Sequence, residues 1–396
     1  MSSFESKHSF EHLDKLAYEI GPRLAGSEGE RRAAEYIKKY LKDCGLTIRI
    51  QKFQFVDKVM RTRVTALILA GVFVASTILG SIEALLTLIL GVILTLLLPR
   101  IMPKKQSQNM IGSLKSEEPE RRLVLSAHHD SAQCVRDRRW IIYFKFALPA
   151  LLLAFLILLV LRLVGGGISF LISWSILGVL FLPTCAVPFF VYESLVSPGA
   201  NDNASGVAIM LEVARLASTS TIKRTDFQFV AFGGEEQGLY GSKEFFSRDV
   251  EVSFLLNLDS IGAGTCLSII EGNGILRRHR TSPELNEMLR ERARDLGFEV
   301  DSIWVPFSTH DHLPFVGGGV DATTLTSYES GRKTKLDRFL EKVFGLSRVR
   351  THRYSEIHTL EDVPEKIRLD NMKKVGNLVA GLFRLDDKNG CLHEQV

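Results

Sequence analysis

Two long apolar windows interrupt a chain that otherwise alternates polar and apolar positions. The first, Val64 to Leu98, reads VTALILAGVFVASTILGSIEALLTLILGVILTLLL, and its only charge is Glu83 beside a Gly80-Ser81 break. It predicts a tight helical hairpin, with arms near the lower limit of the roughly 17–25 residues that cross a hydrocarbon core. The second window runs from Trp140 to Leu195 and is divided by Gly165, Gly166 and Gly167, which brings the candidate spans to four. A fully buried core helix is the other reading of such runs. Length, pairing and near-absence of charge favour the bilayer. Lys145, Arg162 and Glu193 fall near span ends, where long side chains reach water.

With 61–100 and 140–196 set aside as hairpins, the polar segments 1–60, 101–139 and 197–396 read as one domain. Ser27 followed by Glu30 predicts a capping box opening EGERRAAEYIKKYLKDCG, which ends at Gly45. LTIRIQKFQF alternates with period two, as a half-buried strand does. RLVLSAHHD, FQFVAFGGEE, FLLNLDSIG and DATTLTS are short apolar runs followed by turn residues, the pattern of strands buried on both faces. Helices are predicted over Ala204–Leu216, Pro283–Leu296 and Glu365–Leu385. The fold class that follows is α/β: a mixed, mainly parallel central sheet covered by helices on both faces, with the hairpins inserted into it.

Composition refines this picture. The hydrophobic share of 46% and the mean hydropathy of +0.11 exceed the soluble expectation only modestly, so the excess sits in the two windows. Basic residues gather where the hairpins meet the polar sequence: Lys58, Arg61 and Arg63, then Arg100, Lys104 and Lys105, then Arg136, Arg138 and Arg139. Retention of Lys and Arg on the inner side predicts that the polar domain faces the cytoplasm. The first 60 residues hold no apolar signal-peptide core, so the spans are expected to target the chain. Cysteines at 44, 134, 185, 266 and 391 form no pairing or zinc-finger pattern. The segment 331–353 carries eight Lys or Arg against Asp337 and Glu341, beside an apolar stripe of Leu336, Phe339, Leu340, Val343 and Phe344. It reads as a basic amphipathic insertion, either a solvated surface helix or one that lies on anionic lipid or caps a cleft. No nucleic-acid partner is expected, and oligomeric state is left open.

Candidate chemistry collects at strand ends, where open α/β sheets bind ligands. His128 with Asp130 ends one run, Glu235 and Glu236 another, and Asp259 a third; Asp202 sits in the turn SPGANDNASG and His358 in SEIHTLEDVPEKI. Each alone more often caps a helix or binds backbone. Together, three carboxylates and two imidazoles supply the mixture that suits zinc, and five donors fit two ions if one carboxylate bridges. Asp202 is the natural bridge. Ligand type leaves Co2+ and Mn2+ open beside Zn2+.

These residues stand in motifs that resemble the zinc aminopeptidases of peptidase family M28: IGPRLAGSEGERRAAEYI, NMIGSLK, SAHHDS, PGANDNASGVA, FGGEEQGLYGS, NLDSIG, DHLPF and IHTLEDVPEKI, in order across essentially all of the polar sequence. The resemblance implies a zinc-exopeptidase (phosphorylase/hydrolase-like) fold and an aminopeptidase acting on peptides with a free amino terminus. It implies that His128 and Asp259 bind one metal, that Glu236 and His358 bind a second, and that Asp202 joins both. Glu235 would be the general base, and Asp130 the carboxylate orienting His128. Asp311 and His312 would lie beside the substrate cleft, with His310 and His312 in positioning or structural roles. A cis peptide after Asp202 is implied too. His129 is expected to point across the sheet, away from His128. The departure from the family is the second hairpin, which separates His128 from Asp202 by 74 positions and is expected to bring the site near the membrane surface. A glutaminyl-cyclase-like acyltransferase with one zinc, and an inactive receptor or scaffold, are the alternatives on the same fold.

Overall fold

A computed structural model describes residues 4–165, 168–220, 222–248, 251–351 and 356–389. Gly166 and Gly167 of the second hairpin's break, His352 and Arg353 of the basic insertion, and Cys391 lie outside the described residues. In chain order the helices and strands are α1 (Ser6–Asp14), α2 (Glu28–Asp43), β1 (Thr47–Val56), α3 (Lys58–Ile78), α4 (Ser81–Ile101), β2 (Lys104–Leu114), β3 (Arg121–His128), β4 (Gln133–Val135), α5 (Arg138–Val164), α6 (Ile168–Val191) and β5 (Tyr192–Val196). They continue with α7 (Ser205–Ser218), β6 (Thr225–Phe232), α8 (Tyr240–Arg248), β7 (Phe254–Leu258), β8 (Cys266–Asn273), β9 (His279–Arg280), α9 (Pro283–Asp295), β10 (Asp301–Val305), α10 (Leu313–Gly317), β11 (Asp321–Tyr328), α11 (Lys335–Phe344) and α12 (Leu369–Asn389). The chain divides into two compact units, one made of Met1–Phe55, Gln106–Gln133 and Leu195–Val396, the other of Val56–Lys105 and Cys134–Ser194.

The first unit is built on a mixed sheet of order β1-β2-β6-β3-β7-β11-β8-β10, with β9 paired to β8. β3 runs parallel to β6 and β7, and β7 parallel to β11, so these strands end on one rim. β2 against β6 and β8 against β11 are antiparallel. Successive residues of the central strands enter different cores. Leu123, Leu125 and Ala127 of β3 join one cluster with Phe227 and Phe229 of β6, Val207 and Leu211 of α7, and Val375 and Leu378 of α12. Val124, Val230, Phe232 and Leu255 face a second cluster with Phe245 of α8 and Phe315 of α10. Burial on both faces is why these strands read as mostly apolar runs in the sequence.

The capping box forms only by half. Ser27 Oγ accepts the Glu30 N–H at 3.3 Å, but the Glu30 carboxylate turns inward to the Gly26 N–H (2.6 Å) and Ser107 Oγ (2.5 Å). Burial, with Asp130 nearby, pushes that carboxyl up to about 8. Strands β2, β8 and β10 and helix α1 were not expected from the pattern.

The second unit holds four helices long and apolar enough to cross a membrane: Lys58–Ile78, Ser81–Ile101, Arg138–Val164 and Phe170–Val191. Asp57 accepts the Met60 N–H at 2.9 Å, so the first starts ahead of its apolar run. Phe73, Phe155 and Phe181 form an aromatic centre with Trp174 against it. Between 11% and 33% of each apolar window is buried by protein, which leaves rows such as Leu86, Leu90, Leu153 and Leu161 facing outward.

Within 331–353, the described part forms α11. Asp337 caps it through Thr334 and holds Thr351, while Glu341 accepts from Lys333 and the Val349 N–H. Its acids are thereby engaged, and Leu336, Phe339 and Val343 stay exposed beside exposed Lys335, Arg338 and Lys342.

Candidate metal centre

The shared rim of β3, β6 and β7 places the first donors. His128 is the last residue of β3, Asp259 follows β7 directly, and Glu235 and Glu236 lie in the turn after β6. Asp202 arrives on the turn before α7 and His358 on the loop before α12. Their atoms converge as two trios, His128 with Asp202 and Asp259, and Asp202 with Glu236 and His358, each with its donor atoms within 4.8 Å of one another. Asp202 belongs to both, with its oxygens divided between them. Oδ1 is 3.1 Å from His128 Nε2, and Oδ2 is 3.1 Å from His358 Nε2, which is in turn 2.9 Å from Glu236 Oε1.

The turn that delivers Asp202 is compact for steric reasons. Gly199 has φ +64°, and a Cβ there would lie 2.6 Å from the Asp202 carbonyl oxygen and 2.7 Å from Ser131 Cβ. The Asp202–Asn203 peptide is cis. Asn203 then fixes the turn to the strand end that carries Asp259: its Nδ2 donates to the Leu258 carbonyl at 2.8 Å, and its Oδ1 accepts the Gly206 N–H at 3.1 Å. Ser260 and His358 have φ of +59° and +61°, a left-handed backbone rarely adopted by non-glycine residues and common at sites that hold side chains in fixed positions.

Asp130 lies beside His128 and serves more than the imidazole. His128 Nδ1 donates to the Asp130 backbone carbonyl at 3.1 Å, with the carboxylate further off at 3.6 Å. The carboxylate also accepts the N–H groups of Glu235 (3.1 Å) and Glu236 (3.2 Å), and so holds the acidic turn in place. The carboxylate thus serves the acidic turn while also lying beside the imidazole, which donates to the peptide oxygen.

Asp311 and His312 follow on the loop before α10. Both are fully buried, and His312 has its Nδ1 2.6 Å from Thr324 Oγ1 and its Nε2 2.8 Å from Asn273 Oδ1. Both ring nitrogens of His312 are thus satisfied within the protein, in keeping with a positioning or structural role. His310 lies with Nδ1 2.5 Å from Asp259 Oδ2 and orients that carboxylate, while Ser260 Oγ donates to its other oxygen at 2.8 Å. His129 packs away from His128, with Nε2 3.9 Å from Glu30. Residues the sequence did not single out include Arg23, Asn203 and Asp362, although all three stand inside quoted motifs.

Electrostatics fits the site to cations. Asp130, Asp202, Glu235, Asp259 and Asp311 are all buried, with Glu236 partly so. Burial alone would raise Asp202, yet His128 and His358 hold it well below the usual carboxylate range. Glu235 has no such partner, and burial, aided by Glu236, Asp311 and Asp259, raises it well above that range despite His128. Closely packed carboxylates of this kind favour bound divalent cations, and mixed nitrogen and oxygen donors are those of zinc-type sites.

The sheet and its rim of His, Asp and Glu define the class of the zinc exopeptidases. Residues 184–383, just over half of the chain, match peptidase family M28, and the chain belongs to that family. Aminopeptidase YwaD of Bacillus subtilis is 34% identical over 145 residues, which are 33% of this chain and 29% of YwaD. A probable zinc metalloprotease of Pyricularia oryzae is 47% identical over 73 residues, 17% of this chain and 14% of that protein. The matched stretches thus span less than a third of these relatives. Among solved structures, a zinc aminopeptidase from Bacillus subtilis superposes with a TM-score of 0.59 at 18% identity, covering 97% of this chain and 95% of the other. A glutaminyl cyclase from Tannerella forsythia gives 0.56 at 16%, covering 96% and 99%. The fold is shared by both, so only the site can choose between them.

Proposed function

We propose that this chain is a membrane-anchored aminopeptidase that uses two zinc ions. The observation that carries this reading is the division of the Asp202 oxygens between two donor trios, with the Glu235 carboxyl close by and in neither trio. When bound, zinc supplies a Lewis acid that polarises the scissile carbonyl and makes water acidic enough to attack it. His128 and Asp259 would hold one ion and Glu236 and His358 the other, with Asp202 shared between the two trios. Glu235 takes the proton from the attacking water and passes it to the departing amine. Asp130 keeps Glu235 and Glu236 pointing apart by fixing both of their amides, and His310 steadies Asp259. Cobalt or manganese would suit the same donors.

The sparse burial of the four helices supports a bilayer around the second unit, and the basic residues at its polar ends support a cytoplasmic first unit. The single-zinc cyclase reading leaves one of the two trios without a use, and the scaffold reading leaves the donor set and Glu235 without one. An assay of detergent-solubilised protein against free and amino-terminally blocked peptides tests the function. Only free peptides should be cleaved, and a chelator should abolish the cleavage. Hydrolysis of blocked peptides, or cyclisation of an amino-terminal glutamine without hydrolysis, contradicts it. In the same assay, intact cells should spare an impermeant free peptide that permeabilised cells cleave; equal cleavage overturns the topology.

A further inference from the structure

Asp362 is fully buried and directs its polar atoms at the turn that carries Asp202. Its Oδ1 accepts the Asn201 N–H at 2.7 Å, its Oδ2 accepts the Asp202 N–H at 3.1 Å, and its carbonyl oxygen accepts the Ala200 N–H at 3.1 Å. Three consecutive amides are therefore satisfied by one residue. That residue stands four positions after His358, on the same loop. The intervening chain is braced internally, with Thr359 N–H on the Glu356 carbonyl at 3.1 Å and Glu361 N–H on Thr359 Oγ1 at 3.1 Å, so a shift of Asp362 is carried to His358.

The other side of the turn is held independently. Arg23 donates to the carbonyls of Pro198 and Gly199, at 2.8 Å each, and of His129, at 3.0 Å. Asn201 Oδ1 accepts the Ala263 N–H at 2.8 Å, and Ser205 Oγ accepts the N–H groups of Ile261 and Gly262. Asp202 is thus registered to the loops of His128 and Asp259 without help from Asp362. Among the described residues, Asp362 supplies the hydrogen bonds from the His358 loop to the backbone of this turn, beside the direct approach of His358 Nε2 to Asp202 Oδ2 at 3.1 Å.

We propose that Asp362 is a positioning residue that fixes His358 relative to Asp202, and so sets the affinity of one of the two cation positions. It acts on the trio of Asp202, Glu236 and His358, and leaves that of His128, Asp202 and Asp259 essentially unchanged. This inference rests on the two-cation reading above. A net of backbone bonds around a buried carboxylate is sensitive to isosteric change, because Asn presents one acceptor and one donor where two amides require two acceptors.

The test is zinc titration of the metal-stripped, detergent-solubilised full chain against a chromophoric competitor, with thermal unfolding of the metal-free protein measured alongside. Wild type should take two equivalents. Asp362→Asn should keep one at wild-type affinity and bind the other about 10–100-fold more weakly, the range for loss of an outer supporting group. Asp362→Glu keeps both acceptors on a longer arm and should weaken the same equivalent, which covers the case in which the Asn variant does not fold. The metal-free midpoints show which variants are folded, and the cation equivalents are compared among those. Two equivalents at wild-type affinity in both variants, or equal weakening of both equivalents, overturns the assignment. A wild-type chain that binds only one equivalent overturns the two-cation reading, and the inference with it.

Discussion

Replacing Glu235 by Gln is expected to lower peptide turnover by about 10²–10⁴-fold while leaving zinc content unchanged, the range over which a positioned general base contributes. The amide matches the carboxylate in shape but cannot accept a proton. Glu235 belongs to neither donor trio, so its loss removes no ligand. Its backbone N–H stays on Asp130 in the variant, which keeps the neighbouring Glu236 in place. Kinetics on a free peptide, with zinc measured on the same sample, checks both halves. Turnover near the wild-type rate would remove Glu235 from the role of base; loss of zinc would make it a ligand.

Asp202→Asn is expected to cost both zinc ions and reduce activity to background, a larger effect than the loss of any donor that serves one trio. Two lone-pair-bearing oxygens face His128 and His358 from opposite sides, and an amide offers only one of them. The backbone bonds from Asp362 and the anchoring by Asn203 do not involve the substituted side chain, so the turn should persist. Asp259→Asn, in contrast, should leave the ion held by Glu236 and His358. Zinc analysis of the two variants in parallel distinguishes them. An Asp202 variant that keeps one ion at full affinity would mean that the carboxylate does not bridge.

Much of this arrangement could be read from the chain because of what strand ends and turns demand. The runs through β3, β6 and β7 are mostly apolar, which marks strands covered on both faces, and each brings His, Asp or Glu to its end, directly for β3 and β7 and after Gly233 and Gly234 for β6. Other parts were hidden by competing physics. β2 begins KKQSQ, and its first residues are exposed, so no apolar signal announces it. β10 is only five residues, DSIWV, and its polar Ser302 is buried. In α1, His12 and Ser9 are buried beside Leu13, so the apolar stripe that would reveal the helix is partly polar.

At the site itself, residue type was legible and hydrogen-bond direction was not. Asp130 two places after His128 suggested a carboxylate on the imidazole, and the strand end also turns its peptide oxygen to the ring and its carboxylate to the acidic turn. His312 carries two ring nitrogens that a sheet threonine and an asparagine satisfy, and neither partner is near it in sequence. Asp362 is one of several acids in its loop, and the amides that set it apart belong to residues some 160 positions earlier.

Anomalous diffraction at the zinc edge, from crystals of the zinc-loaded wild-type protein, tests the central claim most directly. Two peaks should flank the Asp202 carboxylate, one beside His128 and Asp259 and the other beside Glu236 and His358. A single peak, or zinc bound away from Asp202, would contradict the account.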